Sequence, residues 1–138
     1  MPETPRILIV DDEKRFRVTM LRLLKNNGIS AKGVESGEQA LEELAQNPYD
    51  VVLLDVKMPG ISGIEVLKQM QKQGCDAEVI VLSGHASVDA ALEIMNFGAY
   101  DYLLKPCDID DLLGKISLAH ERKIEREKIT PPIKSPGG

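Results

Sequence analysis

Short, continuous apolar runs alternate along the chain with longer amphipathic stretches. Residues 7–10, 51–54 and 79–82 are apolar at every position and rich in β-branched side chains. Such runs are typical of parallel strands that helices cover on both faces. Residues 30–34 and 101–104 show weaker strand character, so we expect these two strands nearer the edges of the sheet.

Helical periodicity fills the segments between these runs. Phe16, Met20 and Leu24 are spaced by four residues among basic side chains, which predicts a first helix with an apolar stripe and a basic face. Capping boxes at residues 36–39 and 62–65 mark the starts of helices two and three, because a hydroxyl and an acid or amide there satisfy free N–H groups.

Two further helices follow. Ser87 opens the fourth helix, Gly98 ends it, and we assign its apolar residues to the core: Val88, Ala91, Leu92 and Met95. Asp108 opens the fifth, with inward residues Leu112, Leu113, Ile116 and Ala119. Five βα units in succession predict a parallel sheet with right-handed crossovers and helices on both faces.

Composition divides the chain into two parts. Its 138 residues suit one domain, and 43% hydrophobic with 28% charged residues are typical of a soluble globular protein. Residues 1–120 carry 12 basic and 19 acidic side chains, whereas residues 121–138 carry 5 and 3. Because the apolar period fades after about residue 121 and Pro and Gly follow, we predict a domain over 5–121 and a basic, flexible tail or linker over 122–138.

Charge and cysteine content exclude several classes. The net charge of −5 disfavours direct binding of nucleic acid or of an anionic membrane. No apolar stretch approaches the roughly 18 residues of a membrane span, and the first residues lack a signal-peptide pattern. Cys75 and Cys107 are too few for a disulfide framework, which agrees with a reducing compartment. We therefore expect a cytoplasmic protein.

Polar residues concentrate where the predicted strands end. Strand one ends in Asp11-Asp12, strand three in Asp55, strand four in Ser83-Gly84 and strand five in Lys105-Pro106. Ligands of open α/β sheets bind beyond the carboxyl ends of the strands. We therefore expect these side chains at one edge of the sheet.

Three converging carboxylates would repel one another unless a cation lay among them. Oxygen-only ligands suit Mg²⁺, or Mn²⁺ in its place, and disfavour Zn²⁺. An alternative is that Asp11 and Asp12 merely decorate a helix N-terminus. Asp55 favours the metal, because an acid that closes a buried apolar strand is costly without a partner.

A carboxylate cluster with a metal and one lysine suits a transferable anion. Aspartate can attack phosphorus to give an aspartyl-phosphate, and the transferred group needs positive charge around its oxygens. Lys105, the Ser83 hydroxyl and the metal would supply it, while Gly84 leaves space and a backbone N–H. No Walker or dinucleotide-binding glycine motif is present, so a nucleotide site has no support.

These motifs together resemble the receiver domain of two-component response regulators. The resemblance covers residues 5–121 and rests on Asp11-Asp12 and on the stretches 52–60, 83–85 and 98–106. The Gly-His-Ala-Ser run at residues 84–87 and the stretch 98–106 look most like receivers of nitrogen-regulatory-type transcriptional activators. The resemblance implies a flavodoxin-like (βα)5 doubly wound sheet with strand order 2-1-3-4-5.

The resemblance also assigns roles to residues. Asp55 would accept a phosphoryl group from a sensor histidine kinase. Mg²⁺ would bind Asp12, Asp55 and the Lys57 carbonyl, with Asp11 acting mainly through water. Lys105 would pair with a phosphoryl oxygen, with a cis Lys105–Pro106 bond. Ser83 and Tyr102 would be the switch pair, although Tyr102 taken alone is better explained as a half-buried aromatic residue of an edge strand.

Two positions that vary in the family are occupied here by Lys57 and His85. Both would flank the phosphoryl group and tune how long the signal lasts. The alternative is that both are solvated surface residues. The surface of helix four, strand five and helix five would contact an effector or form a homodimer.

Three functions remain open at this point. The first is a phosphorylation switch with self-catalysed phosphotransfer and autodephosphorylation, and not a turnover enzyme. The second is a phosphatase or phosphotransferase, which usually has a general acid two residues after the nucleophile, where this chain has Lys57. The third is a binding module that is never phosphorylated, against which the complete set Asp11, Asp12, Asp55, Ser83 and Lys105 argues.

Overall fold

The computed structural model describes residues 4–56, 58, 60–84 and 88–129. In this range five strands and five helices alternate. The strands are β1 (Arg6–Val10), β2 (Ser30–Val34), β3 (Val51–Asp55), β4 (Glu78–Ser83) and β5 (Asp101–Leu104). The helices are α1 (Lys14–Asn26), α2 (Gly37–Gln46), α3 (Gly63–Lys72), α4 (Val88–Asn96) and α5 (Ile109–Ile129).

The five strands form one parallel sheet in the order β2-β1-β3-β4-β5. This confirms the predicted strand order and places β2 and β5 at the edges. All five residues of β3 and all six of β4 are buried, which explains why these strands have no polar alternation in the sequence. After β2, the chain crosses to the other side of β1 to form β3, so the direction in which strands are added to the sheet reverses between β1 and β3. At such a point the carboxyl edge of the sheet is open to a ligand.

Two apolar layers cover the sheet. On one face, α2, α3 and α4 contribute Ala40, Val66, Leu67, Met70 and Ile94 to the core. On the other face, α1 and α5 contribute Met20, Leu24, Leu112, Ile116 and Ala119. The inward residues predicted for helices one and five thus lie in or against the core. No helix of the described residues is both long and apolar enough to cross a membrane.

Hydrogen bonds confirm the predicted starts of three helices. The Ser36 hydroxyl accepts from the Gln39 N–H at 3.1 Å, and the Ser62 hydroxyl accepts from the Glu65 N–H at 3.2 Å. Asp108 accepts from the Asp110 N–H at 3.0 Å. Ser87, the predicted start of the fourth helix, lies outside the described residues.

The prediction for the inner face of α4 was wrong at two positions. Leu92 is 59% exposed and Met95 is 41% exposed, whereas Ile94 is fully buried. The helix carries apolar residues on more than one face, so periodicity alone did not distinguish the face toward the core. The side chains of Val88 and Ala91 lie outside the described part of the chain.

Residues 130–138 of the predicted tail lie outside the described part of the chain, whereas residues 122–129, which we also assigned to the tail, continue α5 to Ile129. Charges compensate there for the fading apolar period. Arg126 forms an ion pair with Glu78, and Arg122 lies 3.4 Å from the same carboxylate. Lys123 is buried between Asp50, at 3.3 Å, and Glu127, at 2.7 Å. These pairs hold the last turns of α5 against the amino edge of the sheet.

Glu78→Gln tests this attachment. Glu78 is 4% exposed, and its loss leaves two arginines without their anion. Because both arginines are half exposed, we expect a loss of about 1–2 kcal/mol in the free energy of unfolding, less than for a fully buried pair. Urea unfolding measures the loss, and amide exchange should speed up in residues 122–129. The exposed Glu125→Gln is the control, and equal effects of both variants would contradict the attachment.

Candidate functional site

Three aspartates converge at the carboxyl edge between β1 and β3. One carboxylate oxygen from each of Asp11, Asp12 and Asp55 lies within 4.8 Å of the others. Asp11 is 1% exposed and Asp55 is 9% exposed, whereas Asp12 faces solvent. Two of the three charges are therefore removed from water at short range, which requires compensating positive charge.

Local structure orients Asp11. Its N–H donates to the Val34 carbonyl at 3.1 Å, which extends the β1–β2 pairing by one residue. Its Oδ1 accepts from the Glu13 N–H at 2.9 Å. Asp11 thus also stabilises the start of α1. The two interpretations of this residue from the sequence, as part of a metal site and as an acid at a helix N-terminus, are therefore compatible.

Lys105 supplies a cation from the end of β5. Its Nζ lies 2.5 Å from Asp11 Oδ2 and 3.9 Å from Asp55 Oδ2, and its side chain is 17% exposed. The backbone holds it there, because the Lys105 N–H donates to the Ser83 carbonyl at 2.8 Å. The Lys105–Pro106 bond is cis, as the resemblance implies.

One ammonium does not balance three carboxylates, so the cluster retains negative charge. The donors are all oxygen, and the described residues place no histidine or cysteine among them. Such a site suits a hard divalent cation such as Mg²⁺ or Mn²⁺, with Asp12 and Asp55 as the accessible ligands. Lys57, whose carbonyl was the fourth predicted ligand, lies outside the described residues, as does His85.

Ser83 and Tyr102 lie on the same face of neighbouring strands. Ser83 is buried at the end of β4, and Tyr102 is half-buried on β5. Val81 pairs with Tyr102 and Ser83 with Leu104. Because side chains alternate along a strand, Val81, Ser83, Tyr102 and Leu104 share one face. Ser83 and Tyr102 are therefore diagonal neighbours on this face of the sheet.

Asp101 connects the strand of this pair to α5. Its Oδ1 accepts from the Tyr102 N–H at 2.7 Å, and its Oδ2 lies 2.5 Å from the Lys115 Nζ. The hydrogen bond with Asp101 raises the pKa of Lys115 above its usual value. Asp101 thus contacts both the backbone of β5 and a side chain of α5.

Gly84 and Cys107 lie next to the site. A Cβ on Gly84 would meet no atom of the described residues within 4 Å. Cys107 is a free thiol, and burial raises its pKa. Because the thiolate is the reactive form, a raised pKa lowers the reactivity of this thiol, which agrees with a structural role.

Sequence reasoning missed the role of Gly63. It was interpreted only as part of a helix-capping box, but its N–H donates to the Val56 carbonyl at 3.0 Å. A Cβ at Gly63 would lie 2.8 Å from Val56 Cα and 2.9 Å from the Asp55 carbonyl oxygen. The start of α3 therefore touches the backbone that carries Asp55, which only glycine permits.

Gly63→Ala should lower the free energy of unfolding by about 1–3 kcal/mol, because backbone atoms must move to admit the methyl group. The shift acts on the segment that carries Asp55, so its amide resonances should change as well. Gly114→Ala is the matched control, since a Cβ there meets nothing within 4 Å and alanine favours a helix by about 0.5–1 kcal/mol. If chemical denaturation shows that Gly63→Ala is as stable as the wild type, the close approach of α3 to the Asp55 backbone does not require glycine.

Phe16 was assigned only to the apolar stripe of α1. Its ring also faces the site, with the Lys105 Nζ 4.1 Å from the ring centroid. Its sequence position five residues after Asp11 was the available signal, because the first turn of α1 follows the aspartates directly. The residue is half-buried and also packs against the core.

Comparisons with known proteins agree with this geometry. The family model "Response regulator receiver domain" matches residues 7–117. The chain is 35% identical over 130 residues to the DNA-binding transcriptional regulator NtrC of Klebsiella pneumoniae, which covers 93% of the chain and 28% of that protein. It is 39% identical over 111 residues to the response regulator MprA of Mycobacterium sp. (strain KMS), with 80% and 48% covered.

A solved structure extends the likeness to three dimensions. The solution structure of the beryllofluoride-activated NtrC4 receiver domain dimer has a TM-score of 0.81 and 30% identity, with 86% of this chain and 98% of that chain covered. The present chain spans between about a quarter and a half of the length of the curated relatives it matches. Sequence, topology and the arrangement of acids and lysine at the carboxyl edge agree: the chain belongs to the response regulator receiver domain family of two-component signalling.

Proposed function

We propose that Asp55 accepts a phosphoryl group from the phosphohistidine of a sensor kinase and that the aspartyl-phosphate shifts the domain between two conformations. The observation that supports this most directly is the convergence of three aspartates within 4.8 Å, with the Lys105 ammonium 3.9 Å from Asp55 Oδ2. A carboxylate needs an adjacent cation to approach a phosphoryl dianion, and this site supplies one. A cytoplasmic location, where such kinases present their phosphohistidine, completes the proposal.

The transfer itself is a displacement at phosphorus. A carboxylate oxygen of Asp55 forms the new P–O bond as the P–N bond breaks, and the imidazole nitrogen keeps that electron pair and takes up a proton. Lys105 would donate to one phosphoryl oxygen, and the Ser83 hydroxyl and the Gly84 N–H would donate to others. Asp12 and Asp55 would hold Mg²⁺, or Mn²⁺ in its place, with Asp11 contributing through water and the Lys57 carbonyl as a further ligand. The metal, when bound, neutralises charge on the transferred group.

The same residues favour a switch over a turnover enzyme. Phosphatases with an aspartyl intermediate need a general acid near the nucleophile, and Lys57 occupies the position two residues after Asp55. Lysine at this position does not provide the carboxylic acid that serves as general acid in those phosphatases. Hydrolysis of the aspartyl-phosphate then depends on access of water, which Lys57 and His85 would tune.

The test is incubation of the intact chain with Mg²⁺ and acetyl phosphate, followed by peptide mass spectrometry. We expect one phosphoryl group on the peptide that contains Asp55, and none when Mg²⁺ is chelated. If no phosphoryl group is incorporated at saturating Mg²⁺, the result contradicts the proposed function. Incorporation at another residue would contradict the assignment to Asp55.

The output surface is proposed on α4, β5 and α5. Three large apolar side chains on α4 and β5 are between 41% and 59% exposed: Leu92, Met95 and Leu104. Exposed apolar patches are typical of interaction surfaces. Phosphorylation adds about −1.5 to −2 charges, and the Ser83–Tyr102 pair would connect this change to the surface. The related NtrC4 receiver is a dimer when activated with beryllofluoride, which supports a homodimer or an effector contact at this surface. We further propose that the output is control of transcription and that the domain itself does not bind nucleic acid.

Leu92→Ser tests the surface. Since Leu92 is 59% exposed, the variant should keep its stability within about 0.5 kcal/mol. Dimerisation of the beryllofluoride-treated chain, followed by analytical ultracentrifugation, should weaken about tenfold or more, the effect of removing one interface residue worth over 1 kcal/mol. Val18→Ser on α1 is the control, because Val18 is 44% exposed and lies on the other face of the sheet. Equal weakening in both variants would exclude α4 as the interface.

A further inference from the structure

We infer that Phe16 is a positioning residue for phosphotransfer, because its ring holds the Lys105 ammonium against the two buried aspartates. This inference rests on the proposed function of Asp55 and adds a residue that acts through Lys105. The distance that supports it is 4.1 Å from the Lys105 Nζ to the ring centroid, the shortest cation–ring separation among the described residues.

The geometry around the ammonium leaves one side for the ring. Asp11 Oδ2 lies 2.5 Å from the Nζ and Asp55 Oδ2 lies 3.9 Å from it. The ring of Phe16 covers a further direction and excludes water there. An ammonium that is partly removed from water interacts more strongly with both a ring face and an anion.

The reason that Lys105 needs such a support is its flexible stem. Rotation about the bonds of the four-carbon stem lets the ammonium of a lysine move into solvent. The side chain loses this conformational entropy only if contacts confine it. Asp11 confines the ammonium through one contact at 2.5 Å. The ring adds a second contact at 4.1 Å, which restricts the ammonium further while it lies 3.9 Å from the Asp55 carboxylate that would carry the phosphoryl group.

The fold delivers the ring and the acids together. Asp11 and Asp12 directly follow β1, and Phe16 lies in the first turn of α1, which begins at Lys14. Phe16 also packs against the core formed by α1, α5 and the sheet. One short segment thus sets the positions of the metal ligands and of the ring that confines the lysine.

The test must separate this role from packing. Replacing Phe16 with pentafluorophenylalanine nearly preserves its shape but reverses the charge distribution of the ring face. We expect the rate of phosphorylation by acetyl phosphate at saturating Mg²⁺ to fall about 3- to 30-fold, the range of a cation–ring contact. Phe16→Tyr, which keeps the ring face, should stay within about twofold of the wild type.

A second readout does not depend on phosphorylation. In the wild type without metal, the ring should shift the ε-methylene proton resonances of Lys105 upfield, because the Nζ lies 4.1 Å from its centroid, and Phe16→Leu should return them to the position of exposed lysines. The matched control is Phe97→Leu, because Phe97 is the chain's other phenylalanine and Lys68 lies 4.9 Å from its ring, away from the site.

The outcomes are distinct. A wild-type chain that takes up no phosphoryl group contradicts the proposed function, whatever Phe16 does. A wild-type chain that is phosphorylated at the same rate as the pentafluorophenylalanine variant overturns the role of Phe16 alone. An equal loss of rate in Phe97→Leu and Phe16→Leu assigns the effect to stability and also overturns it.

Discussion

Asp55→Asn should abolish phosphoryl incorporation, with the rate in acetyl phosphate and Mg²⁺ lowered by on the order of 10³-fold or more. The amide has nearly the shape of the carboxylate but is not a nucleophile toward phosphorus. Folding should be preserved, because the substitution removes one of three negative charges that lie within 4.8 Å and relieves their repulsion. Intact-mass measurement over time gives the rate, and urea unfolding gives the stability.

Asp12→Asn is the informative companion variant. It keeps the nucleophile and removes a carboxylate that faces solvent, so its defect should be in metal affinity. We expect its phosphorylation to recover when the Mg²⁺ concentration is raised, whereas Asp55→Asn should stay inactive at every concentration. If Asp55→Asn takes up the group at the wild-type rate, another residue is the acceptor and the proposed mechanism fails.

Lys105→Met should lower the rate of phosphorylation by about 10²–10³-fold, the typical effect of removing one donor that stabilises developing charge. Methionine retains an unbranched stem of similar length, so the change is mainly loss of the ammonium. Without metal the variant should also lose about 1–3 kcal/mol of stability, because Asp11 is 1% exposed and loses the cation that lies 2.5 Å away.

The same variant should bind Mg²⁺ more tightly, since Lys105 no longer compensates the charge of the carboxylates. A titration followed by calorimetry measures this gain. Lys32→Met is the control, because Lys32 is paired with Glu43 at 3.0 Å but is 57% exposed, and the loss of such a pair costs at most about 1 kcal/mol. An unchanged phosphorylation rate in Lys105→Met would show that this lysine does not contact the transferred group.

Much of the fold followed from local pattern. The three continuous apolar runs became β1, β3 and β4, because strands buried on both faces need apolar residues at every position. The acids followed from position in the same way. Asp55 closes β3, and a charged residue at the end of a fully buried strand is costly unless a cation or hydrogen-bond donors compensate it.

Three features were not readable from local pattern. Which face of α4 is buried depends on how the helix packs on the sheet. Ile94 is buried and Leu92 and Met95 are exposed, yet all three are apolar. The length of α5 depends on Glu78, whose sequence position is more than forty residues away from its arginine partners. The closeness of Gly63 to Asp55 depends on the path of the loop between β3 and α3.

The sequence by itself determined the order of strands and helices, the residue types at the strand ends and the membership of the family. These depend on periodicity and on residues that are neighbours along the chain. Only the tertiary structure decided that Lys105 lies between Asp11 and Asp55 beneath the ring of Phe16, and that α5 extends to Ile129. These arrangements join residues far apart in the chain, and their energies depend on distance and burial, which only the folded sheet defines.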